Sequence, residues 1–403
     1  MPDSSSHIND PSFSSPETGN LKDLALLFFR LGATSFGGPA VHIAMMEDEV
    51  VKKRRWLTPQ QFLDMLAATN FIPGPNSTEM AIHVGYERAG MRGLLIAGAA
   101  FITPAFLIVS AIAAAYVYLG GFTVAQGFMY GIKPVVIAVV LQALWRLGKS
   151  ALKTSYLVAL AAVAAALNFA GVGELWVLFL AALAGLFGSG INLSSVKFLN
   201  TLSIAPLTLF IPSGPAAISF PALAQSAAVT LGHLFFLFLK IGSVLFGSGY
   251  VLLAFLRSDF VEELGWLSEA QLLDAIAIGQ VTPGPVFTTA TFIGYLLSGF
   301  EGAVVATCGI FLPAFFFVAV SAPLLPFLRR SPTAARVLNA LNAASLAIMA
   351  VVTVHLTIAA IVDWMTTALA VASGILLIKW RVNSSWLVLG AGTLGAFKTL
   401  LAL

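Results

Sequence analysis

The sequence contains two similar stretches: RRWLTPQQFLDMLAATNFIPGP at residues 54–75 and LGWLSEAQLLDAIAIGQVTPGP at residues 264–285. The match extends towards the N-terminus, so that residues 30–75 and 240–285 share 15 identities in 46 positions without a gap. This exceeds what apolar composition alone should produce, and self-similarity at a fixed spacing indicates an internal repeat. The chain is therefore predicted to consist of two homologous halves.

The repeat also sets the predicted domain boundaries. We assign residues 24–190 to an N-terminal half and residues 231–403 to a C-terminal half. Residues 191–230, which are rich in Ser and Pro, remain as a connector. Residues 1–23 are polar and Ser/Pro-rich, which predicts a disordered tail.

The composition is that of a membrane protein. Of the 403 residues, 59% are hydrophobic and 10% are charged, whereas soluble domains carry about 25% charged residues. Residues 93–119, 302–328 and 337–362 contain no Asp, Glu, Lys or Arg, and each stretch exceeds the roughly 20 residues that span a bilayer. We therefore predict an all-α polytopic protein that resides in the lipid bilayer. Its Lys and Arg residues lie at the ends of apolar runs, which indicates membrane topology rather than nucleic-acid binding.

Two kinds of helix break recur in each half. The first helix, residues 24–47 or 231–256, is interrupted by glycines, and a short helix then opens on a capping box. Proline ends that short helix at Pro73, Gly74 and Pro75 in one half and at Pro283, Gly284 and Pro285 in the other. The half-length helices flanking each Pro-Gly-Pro break are too short to span. A re-entrant hairpin or a single broken spanning helix would explain them, and the hairpin is the preferred interpretation.

The remaining apolar segments give about five spans per half in addition to the hairpin, an odd number that predicts inverted halves. Charge supports this inversion. The segment after the first helix is Lys52-Lys53-Arg54-Arg55 in the first copy, whereas the second copy carries Arg257 with Asp259, Glu262 and Glu263. By the positive-inside rule the first segment is cytoplasmic and the second external. The basic residues at 146–153 and 329–336 then also lie inside.

Inverted repeats with discontinuous helices are typical of secondary transporters, in which half-helix N-termini point at anionic substrates. Here the helix after the first break starts at Asn76, Ser77 and Thr78, and the helix after the second starts at Val286, Phe287 and Thr288. Thr289 follows as a further candidate substrate-binding residue. Their unpaired amides and positive dipole ends suit a small oxyanion. The alternative is that Pro-Gly-Pro only bends a helix for packing.

Several ionisable residues fall inside predicted spans. Arg30 and Lys240 occupy the same repeat position, and a cation there is expensive unless it faces a cavity or a partner. The alternative for Arg30 is snorkelling to the interface. Glu79 and His83 lie four residues apart, on one helical face, as a candidate proton-coupling pair or a structural hydrogen bond. His42 leaves the same two alternatives open.

No enzyme is predicted, because the sequence has no nucleophile elbow, phosphate-binding loop or dinucleotide fingerprint. No cofactor motif is present. The single Cys308 excludes an intrachain disulfide, and no Cys/His cluster has the spacing of metal ligands.

The motifs FRLGATSFGGPAVH, VKKRRWLT, FIPGP and GWLSEAQLLDAIAIGQVTPGP closely resemble the chromate ion transporter family in its long form with two fused halves. The resemblance implies a multi-pass permease of the cytoplasmic (inner) membrane that exports chromate, with sulfate as the related anion, and hence chromate resistance. The family motif maps onto Arg30, Phe36, Gly37, Gly38, Pro39, His42, Arg55, Trp56, Lys240, Gly247, Gly249, Trp266 and both Pro-Gly-Pro triplets. Among these, the resemblance implies substrate-binding roles for Arg30, Gly37, Gly38, His42, Lys240 and Gly247.

Membrane energetics favour export. A dianion leaving an inside-negative cell gains about 4.6 kcal/mol at 100 mV, because each charge is worth about 2.3 kcal/mol. The alternative is a transporter of sulfate or another small oxyanion, working by proton-coupled uptake. A receptor or scaffold is disfavoured because no extramembrane domain is predicted. The oligomeric state stays open, with a homodimer among the options.

Overall fold

The computed structural model describes residues 20–36, 38–120, 122–187, 229–246, 249, 251–322, 331–380 and 382–401. These residues form helices and turns, with no strand among them. The first half contains α1 Leu21–Thr34, α2 Pro39–Glu47, α3 Pro59–Thr69, α4 Asn76–Leu119, α5 Thr123–Ala151, α6 Ser155–Phe169 and α7 Glu174–Phe187. The second contains α8 Leu231–Val244, α9 Leu252–Leu256, α10 Glu269–Val281, α11 Thr289–Ser321, α12 Pro332–Ala360, α13 Trp364–Lys379 and α14 Ser384–Leu401.

Each half opens with the predicted broken helix. We call the described non-helical residues at 35, 36 and 38 and at 245, 246 and 249 the first-helix breaks. In the first half, Gly38 has φ 83°, and Pro39 starts α2 at the first helical position. The charged segment that follows is helical rather than a loop, because α2 and α9 continue as π-helical turns over Asp48–Lys53 and Arg257–Glu263. Gly37, Gly247, nearly all of the connector and residues 1–19 of the tail lie outside the described residues.

Capping boxes start α3 and α10, as the sequence predicts. The Thr58 hydroxyl accepts from Gln61 N (3.2 Å) while Gln61 Oε1 accepts from Thr58 N (2.8 Å). Ser268 and Gln271 repeat the arrangement at 3.2 and 2.9 Å. Each short helix ends before its Pro-Gly-Pro break. A 3-10 turn, Val286–Thr288, then leads into α11.

Helices α4 and α11 each double back near their start. The backbone leaves helical geometry at Ala89 and Gly90 in α4, and at Ser298 and Gly299 in α11. A Cβ on Gly93 would lie only 2.0 Å from the carbonyl oxygen of Gly85, although residues eight apart in a straight helix are about 12 Å apart. The short arms, residues 76–88 and 289–297, therefore fold back against the long parts of α4 and α11.

Four helical segments are long and apolar enough to cross a membrane: Asn76–Leu119, Thr123–Ala151, Val286–Ser321 and Pro332–Ala360. Four shorter apolar helices accompany them: Ser155–Phe169, Glu174–Phe187, Leu231–Val244 and Trp364–Lys379. The long segments occur as two per half, at equivalent repeat positions. The chain is thus a helical multi-pass membrane protein built from two repeats.

Equivalent helices run in opposite directions. In the α4–α11 pair, Phe106 meets Phe300 edge to face with ring centroids 5.9 Å apart, while Gly98 faces the ring of Phe315. The later residue of α4 thus contacts the earlier residue of α11. In the α5–α12 pair, the Tyr130 hydroxyl near the start of α5 donates to Asp363, just beyond the end of α12. Both pairs are antiparallel.

Candidate functional site

The two Pro-Gly-Pro breaks contact the opposite halves of the molecule. Gly74 N donates to the Leu245 carbonyl (2.8 Å), and Gly284 N donates to the Ser35 carbonyl (3.0 Å). Gly74 and Gly284 are repeat equivalents, as are Ser35 and Leu245. Each Pro-Gly-Pro break is therefore tied by a backbone hydrogen bond to the first-helix break of the other half.

Glycine is required at the centre of both breaks. Gly74 has φ 138° and Gly284 has φ 90°, a backbone region that disfavours residues with a Cβ. A Cβ on Gly284 would lie 2.7 Å from Ala105 Cβ and 3.0 Å from the Gly32 carbonyl oxygen. A Cβ on Gly74 would lie 3.6 Å from Ala314 Cβ, which is the repeat equivalent of Ala105. The loops thus pack closely against the other half in matching ways.

Both breaks open into one cavity of about 450 Å³ between the halves. The first half contributes Pro75, Asn76 and Ser77 to its lining, and the second half contributes Val286 and Phe287. Pro75 is the N-cap of α4, and the other four residues are the first of the helical segments that follow the breaks. The two helix starts for which the sequence predicts anion binding therefore line the same space.

Two polar stripes form much of the remaining lining. Gln142, Arg146 and Ser150 on α5 are spaced by four residues, and Asn339, Asn342 and Ser345 on α12 are spaced by three, so each set follows one helical face. Among the described residues, Arg146 is the only charged one in the lining, and it takes part in no ion pair with another of them. Sequence reasoning missed these residues, although polar residues at helical spacing within apolar helices were the signal that could have found them.

Arg30 and Lys240 lie in matched ion pairs. Arg30 pairs with Glu49 at 2.6 Å, and Lys240 pairs with Asp259 at 2.8 Å. Glu49 and Asp259 are repeat equivalents on the π-helical turns, and their side chains are nearly buried. Neither cation lines the cavity.

The first-half pair belongs to a larger cluster. Glu49 also pairs with Lys53 (3.0 Å) and Arg54 (3.6 Å), and Lys53 bridges on to Asp48 (2.9 Å). The Lys53 ammonium donates a hydrogen bond to Asp48, and this bond holds the pKa of the Asp48 carboxyl below its ordinary value. In the second half, Arg257 instead joins Glu262 and Glu269. The surroundings of the two cations therefore differ in charge although their positions match.

The predicted proton-coupling residues are buried beside the first Pro-Gly-Pro break. Neither carboxylate oxygen of Glu79 has a hydrogen-bond partner among the described residues, and the same holds for His83 Nε2. Glu79 Oε1 lies 2.3 Å from the position that a Cβ on Gly74 would occupy.

The predicted site residues of the second half have hydrogen bonds to their own backbone turn. Thr288 and Thr289 donate to the carbonyls of Pro285 (2.8 Å) and Val286 (2.9 Å).

His42 and Thr78, two further predicted site residues, are both buried and differ in their contacts. His42 Nε2 lies 3.1 Å from the Ser35 carbonyl, and its ring packs edge-on against Phe101. The Thr78 hydroxyl is buried without a partner among the described residues. His42 therefore supports the first-helix break.

Comparison with known proteins identifies relatives of both halves. A family model described as "Chromate transporter" matches residues 22–186 and again residues 232–396. A "Chromate transport protein" from Cupriavidus metallidurans is 31% identical over 383 residues, which cover 94% of this chain and 93% of the relative. A "Probable chromate transport protein" from Synechococcus elongatus is 32% identical over 81% of this chain and 82% of the relative. A "Chromate transport protein" from Pseudomonas aeruginosa is 33% identical over 72% and 70%. No solved structure gives a significant match.

Proposed function

Because the chain belongs to the chromate transporter family, whose members are transporters and not enzymes, we propose that it exports chromate from the cell as a secondary transporter. The observation that carries this proposal is the cavity shared by the two Pro-Gly-Pro breaks. A tetrahedral dianion in this cavity meets two helix N-termini at once, and each end carries about half a positive charge. The site thereby offsets part of the anion's charge without a metal or cofactor.

The direction of transport is supported by where the cavity reaches the surface. Its α5 residues all lie between Gln142 and Ala151, at the C-terminal end of that helix. Its α12 residues lie between Asn339 and Met349, and of these the exposed one is Asn339, which is nearest the start of α12. These ends also carry Lys149, Lys153 and Arg336. By the positive-inside rule this is the cytoplasmic end, so the cavity takes its anion from the cytoplasm. Export then follows the membrane potential and confers chromate resistance.

The topology of this proposal is an inverted repeat in the cytoplasmic membrane with five spans per half. The antiparallel directions of α4 and α11 support it. On this proposal, α3 and the arm 76–88, like α10 and the arm 289–297, form re-entrant hairpins. Cysteines placed singly at the equivalent positions Lys53 and Glu263, in a Cys308→Ser background, should label from opposite sides of the membrane. Labelling from one side only would end the inverted-repeat proposal.

Transport itself is tested by chromate uptake into everted membrane vesicles, with the potential and the pH gradient collapsed separately. Export predicts uptake into everted vesicles that depends on the chain. Loss of uptake on collapsing only the pH gradient would indicate proton exchange. Equal uptake with and without the chain would contradict the proposal.

A second candidate substrate is sulfate, because amides, hydroxyls and helix dipoles recognise tetrahedral dianions without regard to the central atom. Competition by sulfate in the same vesicles measures the preference.

The proposed contacts of Arg30 and Lys240 with the anion would require each cation to leave its carboxylate during the transport cycle. Chromate uptake into vesicles that carry the double variant Lys240→Gln/Asp259→Asn tests that step.

A further inference from the structure

The polar stripes of α5 and α12 contain donors that the protein itself leaves unused. Ser345 is 1% exposed, and its Oγ has no hydrogen-bond partner in the described structure. The Asn342 amide on the next turn makes no hydrogen bond to a described residue either. A buried hydroxyl without a partner is costly, and a buried polar group that lines a cavity indicates a ligand-facing position.

Arg146 lines the same cavity as these donors, and it is exposed. Its guanidinium can donate hydrogen bonds to two oxygens of a tetrahedral anion at once. The stripe on its own helix offers Gln142, but that amide already donates to the Leu377 carbonyl at 3.0 Å. Ser150 likewise donates to the Leu147 carbonyl at 2.9 Å. Among the described residues, the donors of the two stripes that remain free are those of Arg146, Asn342 and Ser345, together with the exposed amide of Asn339.

We propose that Arg146, Asn342 and Ser345 form a loading site for a tetrahedral oxyanion dianion, separate from the helix N-termini at the Pro-Gly-Pro breaks. This inference rests on the proposed function and adds a place where the anion binds first. A single cation leaves one negative charge of the dianion uncompensated by side chains. Binding is therefore weak enough for the anion to move on, as conduction through successive sites requires.

The test compares Arg146→Gln with Lys149→Gln. Lys149 lies three residues further along α5, exposed, with its ammonium 4.9 Å from the Trp145 ring and outside the cavity lining. Loss of a charged contact at a loading site should raise the KM for chromate at least about tenfold and leave the maximal rate within about twofold. Arg146→Lys should retain part of the affinity. Lys149→Gln should leave the KM unchanged.

A binding assay separates this inference from the proposed function. The Tm of the purified full chain in detergent is measured against added sodium sulfate and sodium chromate, with chloride at matched ionic strength. Wild type should be stabilised by the dianions, and Arg146→Gln and Ser345→Ala should each reduce that shift, while the helix N-termini at the Pro-Gly-Pro breaks still bind the anion. If wild-type vesicles move no chromate but the shift depends on Arg146, the export proposal fails and the loading site stands. If chromate is exported and Arg146→Gln matches Lys149→Gln in KM and Tm shift, the loading site is wrong.

Discussion

The two halves of this transporter share their backbone geometry and differ in their charges. Matched glycines occupy the breaks and the helix reversals, and the hydrogen bonds from Gly74 and Gly284 mirror each other. The ionisable groups around them do not. Glu79 is replaced by Thr289. Asp274 is buried and pairs with Lys133 of the other half, whereas Asp64 lies on a partly exposed helix face. The two halves therefore have the same close backbone contacts, and they differ in the ionisable side chains around those contacts.

The helix reversals should be equally intolerant of a side chain in both halves. A Cβ at Gly93 or Gly302 would lie 2.0 or 2.1 Å from a backbone carbonyl oxygen, and neither partner can move away. We expect Gly93→Ala and Gly302→Ala each to destabilise the protein by about 3 kcal/mol or more. Thermal unfolding in detergent measures the loss.

Gly374→Ala on α13 is the matched control, since nothing lies within 4 Å of its added Cβ. It should be neutral or slightly stabilising, because alanine favours a helix. If Gly93→Ala or Gly302→Ala behaves like this control, the tight reversal is absent from that half.

Asp274 and Asp64 should differ in their importance. Lys133 of the first half pairs with Asp274 of the second at 3.2 Å, and the Tyr116 hydroxyl donates to the same carboxylate at 2.8 Å. Asp274→Asn leaves a mostly buried lysine unpaired, and we expect a loss of about 2–3 kcal/mol. Asp64→Asn should cost less than about 0.5 kcal/mol, as for most exposed polar contacts.

A double variant distinguishes loss of the ion pair from other damage at Asp274. Lys133→Met combined with Asp274→Asn removes both charges, so it should recover most of the stability lost in the single variant. Failure to recover would assign the effect to the hydrogen bond with Tyr116.

The matched cations should also respond unequally. Arg30→Gln leaves Glu49 with Lys53 and Arg54, so we expect a stability change below about 1 kcal/mol. Lys240→Gln leaves Asp259 without a cation among the described residues, so a loss of about 1–2 kcal/mol is expected for this partly exposed pair. Adding Asp259→Asn should restore the Tm. Normal chromate flux in Lys240→Gln/Asp259→Asn would show that Lys240 does not contact the anion.

The smallest expected effect concerns Glu79, which has no acidic equivalent in the second half. If Glu79 takes up a proton as the anion binds nearby, like-charge repulsion is avoided, and transport depends on pH through this group. Glu79→Gln should flatten the pH profile of chromate flux without lowering the Tm. Glu87→Gln, at an exposed position on the same arm, is the control. An unchanged profile in Glu79→Gln would remove proton coupling from this site.

The sequence predicted those features that depend on local chemistry. Proline and glycine at residues 73–75 and 283–285 interrupt helices wherever they occur, and Thr58 with Gln61 forms a capping box from neighbouring residues alone. Contacts that depend on tertiary packing were not predictable in this way. Asp259 becomes the partner of Lys240 only because a π-helical turn brings it back to α8, and no local pattern indicates that two Pro-Gly-Pro breaks exchange partners between halves.

Arg146 illustrates a different limit. Arg146 lies near the end of an apolar run, where the positive-inside rule accounts for a basic residue. Nothing else in the sequence required a further role for it. Only the packing of α5 against α12 shows that its helical face borders the cavity. Helical spacing of Gln142, Arg146 and Ser150 was visible in the sequence, but which face is buried depends on the neighbouring helices.

The central claim is that the two Pro-Gly-Pro breaks meet at one cavity between antiparallel halves. Thiol cross-linking of the variant Asn76→Cys/Val286→Cys, in a Cys308→Ser background, tests it most directly, because both positions line that cavity. A short bifunctional thiol reagent should join the two cysteines within one chain and block chromate flux, whereas each single-cysteine variant should not cross-link intramolecularly. Efficient labelling of both cysteines without any cross-link would place the breaks apart and contradict a shared site.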